Sequence, residues 1–203
     1  MQPPHLMLAQ LRLDEPPVRP GAHGRAADQE VALEMLDGYR RQYGLNSAYV
    51  LPVNLYGPGD NFDLHSSHVI PTLVRKCLEA VERGLDEVVC WGTGNISREF
   101  LYVDDAPEGI IRAAECMQEP VPINLGTGIE IRIRGLAELI ARLTSFQGTL
   151  RWDAGKLDGH PRRFFDTSRA RDLLQWQAAV DFEQGLERTI RWFRSSRSAA
   201  PAQ

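Results

Sequence analysis

Cys77, Cys90 and Cys116 are the only cysteines, an odd number without the close spacing of a metal site, so neither a disulfide framework nor a metal centre is expected. Reduced thiols of this kind fit a cytoplasmic protein. No apolar run approaches the length of a membrane span and the amino terminus lacks a signal-peptide pattern, which argues against a membrane partner. An excess of basic residues is also missing. The formal net charge of −4 gives no electrostatic case for nucleic acid or for an acidic membrane surface. Internal repeats and heptad seams are absent. What is present is ordinary: 43% hydrophobic and 25% charged residues over 203 positions, enough for one large or two small globular domains.

The most informative stretch is Leu51-Pro-Val-Asn-Leu-Tyr-Gly-Pro-Gly-Asp-Asn61. It follows the short apolar run Ala48 to Leu51, which reads as a buried strand, and it breaks into glycine, proline and aspartate. A buried strand that ends in a polar, glycine-rich loop is the pattern at the carboxyl edge of a parallel α/β sheet, where such sheets bind ligands. Residues 1–27, rich in proline, arginine and alanine, read as irregular. A helix then runs to Tyr43 with Asp28 as its cap and Ala32, Leu36, Tyr39 and Tyr43 at helical spacing, stopped by Gly44.

Beyond the loop, Ser66 or Ser67 is expected to cap a helix opened by His68, with Ile70, Leu73, Val74, Cys77, Leu78 and Val81 as its apolar stripe. Glu87 to Trp91 reads as a strand, and Gly92-Thr-Gly94 and Gly126-Thr-Gly128 as tight turns too short for a dinucleotide fingerprint. Asp104 or Asp105 caps a helix whose expected buried face is Ile110, Ile111, Ala114 and Met117. Pro122 to Leu125 and Leu150 to Trp152 are strands, and Leu136, Leu139, Ile140 and Leu143 mark a helix. Asp166 or Ser168 caps a short helix through Leu174. A last helix is lined by Phe182, Leu186, Ile190 and Phe193 and frays after Arg194.

Three features could carry chemistry. His68 lies at a helix amino terminus directly after the ligand loop, whereas His65 and His160 have weaker settings. Arg98 stands among apolar strand residues, where a guanidinium needs an anionic partner, either a protein carboxylate or a phosphate. The stretch Lys156-Leu-Asp-Gly-His-Pro-Arg-Arg163 is cationic and suits an anionic ligand, although a solvated turn has the same composition.

From about Tyr39 to Phe193 the sequence resembles the GDP-L-fucose synthase family, extended short-chain dehydrogenase/reductases within the nucleotide-sugar epimerase and dehydratase group. The resemblance rests on Tyr39-Arg-Arg-Gln-Tyr-Gly44, Pro52-Val-Asn-Leu-Tyr-Gly-Pro58, Asp60-Asn-Phe62, Ser67-His-Val-Ile-Pro71 and Trp91-Gly-Thr-Gly94. It continues with Arg98-Glu-Phe-Leu101, Val103-Asp-Asp105, Asn124-Leu-Gly-Thr-Gly128 and Asp158-Gly-His-Pro-Arg162.

It implies an α/β fold: the carboxyl-terminal part of a Rossmann-type parallel sheet plus a smaller α/β substrate-binding domain. Residues 28–62 would be the last part of the dinucleotide-binding domain. Residues 63–195 would mainly bind the GDP-sugar, with some elements returning to the cofactor domain, and 196–203 would form a tail. Family enzymes take GDP-4-keto-6-deoxy-D-mannose, epimerise two ring carbons and reduce the ketone with NADPH. His68 matches the histidine that acts as an acid and also touches the cofactor. Pro52, Val53, Asn54 and Leu55 match the loop under the nicotinamide of NADP. Lys76, Trp91 and Arg98 match positions that hold the GDP-sugar, and Lys156, Asp158 and Arg162 lie in a second clamp. The full-length family implies a homodimer.

The departures from the family are as telling. No Gly-x-x-Gly-x-x-Gly follows a strand, and Arg25 and Gln29 stand where the family has its Tyr-x-x-x-Lys. An arginine cannot donate a proton near neutral pH, and glutamine carries no charge. The expectation is therefore an incomplete or altered amino terminus and no reductase turnover by the chain alone. A non-catalytic nucleotide-sugar-binding fragment, or a sister epimerase or dehydratase with another nucleotide, are the alternatives. Half a parallel sheet would also expose a bare edge and apolar face that invite aggregation.

Overall fold

The computed structural model describes residues 23–118, 121–156, 158 and 164–199. In chain order its elements are α1 (His23–Tyr43), β1 (Tyr49–Pro52), β2 (Asn54–Tyr56), α2 (Val69–Arg83), β3 (Glu87–Trp91), β4 (Ser97–Tyr102) and α3 (Asp105–Cys116). They continue with β5 (Pro122–Leu125), β6 (Glu130–Arg132), α4 (Ile133–Thr144), β7 (Thr149–Asp153), α5 (Ser168–Leu174) and α6 (Phe182–Ala199). Among the described residues no helix is long and apolar enough to cross a membrane.

The chain divides into two compact units, each assembled from three stretches. The first contains Met1–Pro52, Ala106–Leu125 and Asp166–Gln177; the second contains Val53–Asp105, Gly126–Phe165 and Ala178–Gln203.

In the first unit β1 and β5 pair in parallel, with Val50 opposite Ile123 and Pro52 opposite Leu125. Parallel strands need a crossover, and the chain between them supplies one. Arg169 and Asn124 fix α5 and its approach to this ribbon: Arg169 Nη1 donates to the Pro122 carbonyl at 2.9 Å, and Asn124 Nδ2 donates to the Asp166 carbonyl at 2.9 Å. Helix α1 starts at His23, ahead of the expected Asp28, because Arg25, Ala26 and Ala27 are strong helix formers. Gly44 ends it in the left-handed region, its N–H bonded to the Arg40 carbonyl at 2.9 Å. Of the residues at helical spacing only Leu36 is buried. Tyr39 and Tyr43 are exposed and pack on each other, and with Val31 and Met35 they form an exposed apolar row at intervals of one turn. The buried face of α3 is Ala106, Gly109 and Ala113, and Ile111 is exposed instead. Gly109 decides this phase, since a side chain there would press against Leu125 and Trp176.

In the second unit β4 is the middle of a three-stranded sheet, parallel to β2 on one edge and antiparallel to β6 on the other. All six of its residues are buried, Arg98 and Glu99 included. A separate parallel pair, β3 with β7, aligns Cys90 with Trp152 and Trp91 with Asp153. Helices α2, α4 and α6 bury their apolar faces in one core with Leu73, Val74, Leu136, Ile140, Leu186 and Ile190 among its members. Val81, expected on the stripe of α2, is exposed in the last turn before Gly84, which caps the helix in the left-handed region. Burial pushes the thiol of Cys77 up to about 12, so it stays protonated and inert at neutral pH.

Phe62 anchors the loop after β2 to α6 by stacking on Phe193 at 3.9 Å between ring centroids. Such a pair contributes about 0.5–1.5 kcal/mol beyond its buried area. Helix α6 continues to Ala199 without fraying at Arg194, where Arg194 Nη2 donates to the Thr144 carbonyl and Arg197 forks onto Glu82.

Candidate functional site

Strand β3 delivers Trp91 to the surface, where 61% of it remains exposed. Lys76 and Lys156 place their ammonium groups 5.2 and 5.5 Å from the centre of the indole ring. Both distances lie within cation–π range. Lys76 is further fixed by donating to the Val89 carbonyl at 2.9 Å, and burial lowers the pKa of its amine. A groove of about 190 Å³ runs beside Lys76, lined by Glu79, Arg83, Leu85 and Val89 among others. One exposed aromatic face with two cations close to it suits a planar group that carries negative charge.

The turn after Trp91 is set by glycine and closed by Asp158. Gly92 and Gly94 adopt φ of +79° and +74°, which favour glycine. A Cβ on Gly92 would strike the Asp158 carboxylate, and one on Gly94 would lie 2.7 Å from the Trp152 ring. The carboxylate of Asp158 accepts the Thr93 N–H at 2.9 Å and the Thr93 hydroxyl at 2.5 Å. Arg134 lies over Trp152 and donates to the Thr93 carbonyl at 2.8 Å. The structure therefore brings Lys76, Trp91, Lys156 and Asp158 into one neighbourhood, with Thr93 as the link that the sequence reading missed. Arg162 and His160 fall outside the described residues.

Arg98 is 9% exposed, and its Nη1 donates to the Ser97 carbonyl at 2.7 Å. Its neighbour Glu99 escaped the sequence reading, although a second charge inside an apolar strand was a signal. Pro52 closes β1 in the first unit, while Val53, Asn54 and Leu55 open the second. Val53 is buried, and Asn54 Nδ2 donates to the Glu99 carbonyl at 2.9 Å.

His68 is itself the cap residue of α2, with extended backbone and no side-chain cap bond. The serines expected in that place are engaged elsewhere: the Ser66 hydroxyl donates to Asp63 at 3.0 Å and Ser67 shares a 2.7 Å bond with Thr72. The exposed imidazole is left available, and Asp60 is its electrostatic partner. One Asp60 oxygen accepts the Asn61 N–H at 2.7 Å, and the other is buried without a hydrogen-bond partner among the described residues. Burial raises the pKa of this carboxyl, against the opposing pull of the Asn61 N–H and of His68. A carboxyl whose folded pKa exceeds its unfolded value loses stabilisation as pH rises through that interval. Ionised Asp60 thus weakens the fold at neutral pH. Asp60→Asn is expected to raise the melting temperature at about pH 7, and the gain should vanish below about pH 4, where the unfolded carboxyl is protonated. A lower melting temperature at neutral pH would show that the charge is stabilising instead.

A dinucleotide is cradled where a Gly-x-x-Gly-x-x-Gly turn joins a strand directly to a helix. The helices with a defined cap open at His68, Arg132 and Thr167, none of them on such a turn. Helix α1 passes through positions 25 and 29, which hold arginine and glutamine. The pyrophosphate cradle and the proton donor are thus not among the described residues.

A parallel β1–β5 pair, a strand whose end leads straight into the residues of a candidate ligand loop, and a second α/β unit define a Rossmann-like enzyme class. Residues 26–126 match the NAD dependent epimerase/dehydratase family, and the chain belongs to that family. Within it, the chain is similar to GDP-L-fucose synthases. A probable GDP-L-fucose synthase of Oryza sativa subsp. japonica is 38% identical over 177 residues, covering 87% of this chain and 54% of the relative. GDP-L-fucose synthase of Escherichia coli (strain K12) is 41% identical over 170 residues, covering 79% and 53%. The crystal structure of a GDP-L-fucose synthetase from Naegleria fowleri bound to NADP superposes with a TM-score of 0.74 at 27% identity, covering 89% of this chain and 57% of that one. The chain spans about half the length of the curated relatives it matches.

Proposed function

We propose that this chain holds the GDP-sugar in a GDP-L-fucose synthase-like enzyme, one that converts GDP-4-keto-6-deoxy-D-mannose to GDP-L-fucose by epimerisation and NADPH-dependent reduction. The observation that carries this reading is the exposed indole of Trp91 with two lysine ammonium groups 5.2 and 5.5 Å from its centre. A guanine base stacks on the indole, and Lys76 and Lys156 neutralise the diphosphate that follows it. Arg98 and Arg162 add donors in the fork geometry that diphosphate oxygens accept, and Asp158 holds the Trp91 turn in place through Thr93.

His68 is the acid of the epimerisation. Carbons beside a ketone lose protons to give a stabilised carbanion, and an imidazolium can return a proton on the opposite face. Pro52, Val53, Asn54 and Leu55 line the nicotinamide side of NADP, whose bound form supplies hydride for the reduction. The residues that such an enzyme needs for the pyrophosphate and for protonating the reduced carbonyl lie elsewhere, so the chain alone binds the sugar nucleotide without reducing it. A homodimer remains part of this reading by similarity to the family.

Calorimetric titration of the chain with GDP, UDP and dTDP tests the proposal. The expected result is heat with GDP and at least about tenfold weaker binding of the other two, the step that 1.4 kcal/mol represents. No heat with GDP removes the binding role; equal affinity for UDP or dTDP would favour a sister epimerase or dehydratase. Oxidation of NADPH with the keto sugar by this chain would overturn the inactive assignment.

A further inference from the structure

Glu99 is 0% exposed, in the middle of the buried strand β4. A carboxylate so placed needs compensation, and no lysine or arginine among the described residues makes an ion pair with it. Its compensation comes from the backbone. One oxygen, Oε1, accepts the Gly128 N–H at 2.7 Å, and Oε2 accepts the Phe165 N–H at 3.3 Å. The Glu99 carbonyl in turn accepts Asn54 Nδ2 at 2.9 Å. These three partners come from separate stretches of chain, and two of them border a candidate functional segment. Asn54 belongs to the stretch assigned to the nicotinamide side, and Phe165 follows the basic stretch 156–163.

The Gly126-Thr-Gly128 turn is shaped around this carboxylate. A Cβ on Gly126 would strike Oε1 of Glu99 and lie 3.0 Å from Val53 Cγ1, so the position must be glycine for reasons of space. Gly128 adopts φ of +70°, a conformation that glycine takes without strain. Alternation along the strand puts Glu99 on the face opposite Arg98. The same strand thereby presents a cation to one side and fastens two separate backbone segments on the other.

We propose that Glu99 is the positioning residue of the nucleotide-sugar site, its carboxylate tying the Gly126–Gly128 turn and the chain at Phe165 to the strand that carries Arg98. The inference rests on the function proposed above and goes beyond the ligand contacts assigned there. A carboxylate is required because both of its oxygens accept. Glutamine has one acceptor oxygen, and its NH₂ would face one of the two N–H donors.

The test compares the unaltered chain with Glu99→Gln and Glu99→Asp by amide hydrogen exchange and by GDP titration. Glu99→Gln should speed exchange at Gly128 and Phe165 and weaken GDP binding, each by about tenfold or more, as loss of a charge-assisted hydrogen bond implies. Exchange in the cores of α2 and α4 should not change. Unchanged exchange at the two amides overturns the proposal. So does an unchanged GDP affinity, and so does a uniform rise across α2 and α4, which would make Glu99 a general support of the fold. Should Glu99→Gln not fold, Glu99→Asp, which keeps the charge and withdraws it by one methylene, carries the same comparison with the same expected results. A silent titration of the unaltered chain removes the proposed function itself, whereas a parent and a Gln variant that bind alike remove only the positioning role.

Discussion

Trp91→Ala is expected to weaken GDP binding by about tenfold to a hundredfold while leaving the melting temperature nearly unchanged. Stacking of a base on an aromatic ring contributes roughly 1–3 kcal/mol, which converts to that range. Stability should stay within about 0.5 kcal/mol, because the indole is 61% exposed and supports little of the core. Lys76 would lose its ring contact and keep its bond to the Val89 carbonyl, so the ammonium stays close to its present position. Trp91→Phe, which preserves a flat face, should recover most of the affinity. Calorimetry and thermal melting on the same samples decide the matter. GDP affinity equal to the parent in the alanine variant would show that the base rests elsewhere.

Leu136→Ala should act in the opposite way, lowering stability by about 2–5 kcal/mol without touching the ligand residues. Leu136 is 0% exposed on α4 and belongs to the same core as Leu73 and Val74 of α2 and Ile190 of α6. Truncation removes buried methyl groups and leaves a cavity that three packed helices cannot readily close. Urea denaturation measures the change, and a loss under about 1 kcal/mol would mean that the core collapses around the gap. At low temperature, where the variant remains folded, its affinity for GDP should match the parent. Together the two substitutions separate recognition from folding within one unit.

Elements that bury a run of their own apolar residues were legible in the sequence. Glu87 to Trp91 and Pro122 to Leu125 form strands with the expected bounds, and the apolar stripe of α2 is buried except for Val81. Elements defined by a neighbour were not. The three residues of β2 read as loop between Pro52 and Gly57, and β6 is Glu-Ile-Arg, which gains its strand conformation by pairing with β4. The phase of α3 slipped because a glycine, not an isoleucine, occupies the tightest contact. At the site, Trp91 and Lys76 are marked by family resemblance alone and Lys156 also by its cationic stretch, since nothing in their spacing places two lysines on one indole. Thr93 and Glu99 act through single hydrogen bonds across 65, 29 and 66 residues, separations that no local pattern encodes.

The way the two units share the chain sets a limit on dissection. Each is built from three stretches, so the polypeptide passes from one to the other five times, at 52/53, 105/106, 125/126, 165/166 and 177/178. No single cut releases either half intact. Proteolytic nicking at 52/53 or 177/178 would leave one unit whole but still joined to part of the other, nicking at an inner junction would divide both, and recombination with a relative would need several matched transplants. Interleaving of this kind makes the polypeptide hard to divide for protein engineering.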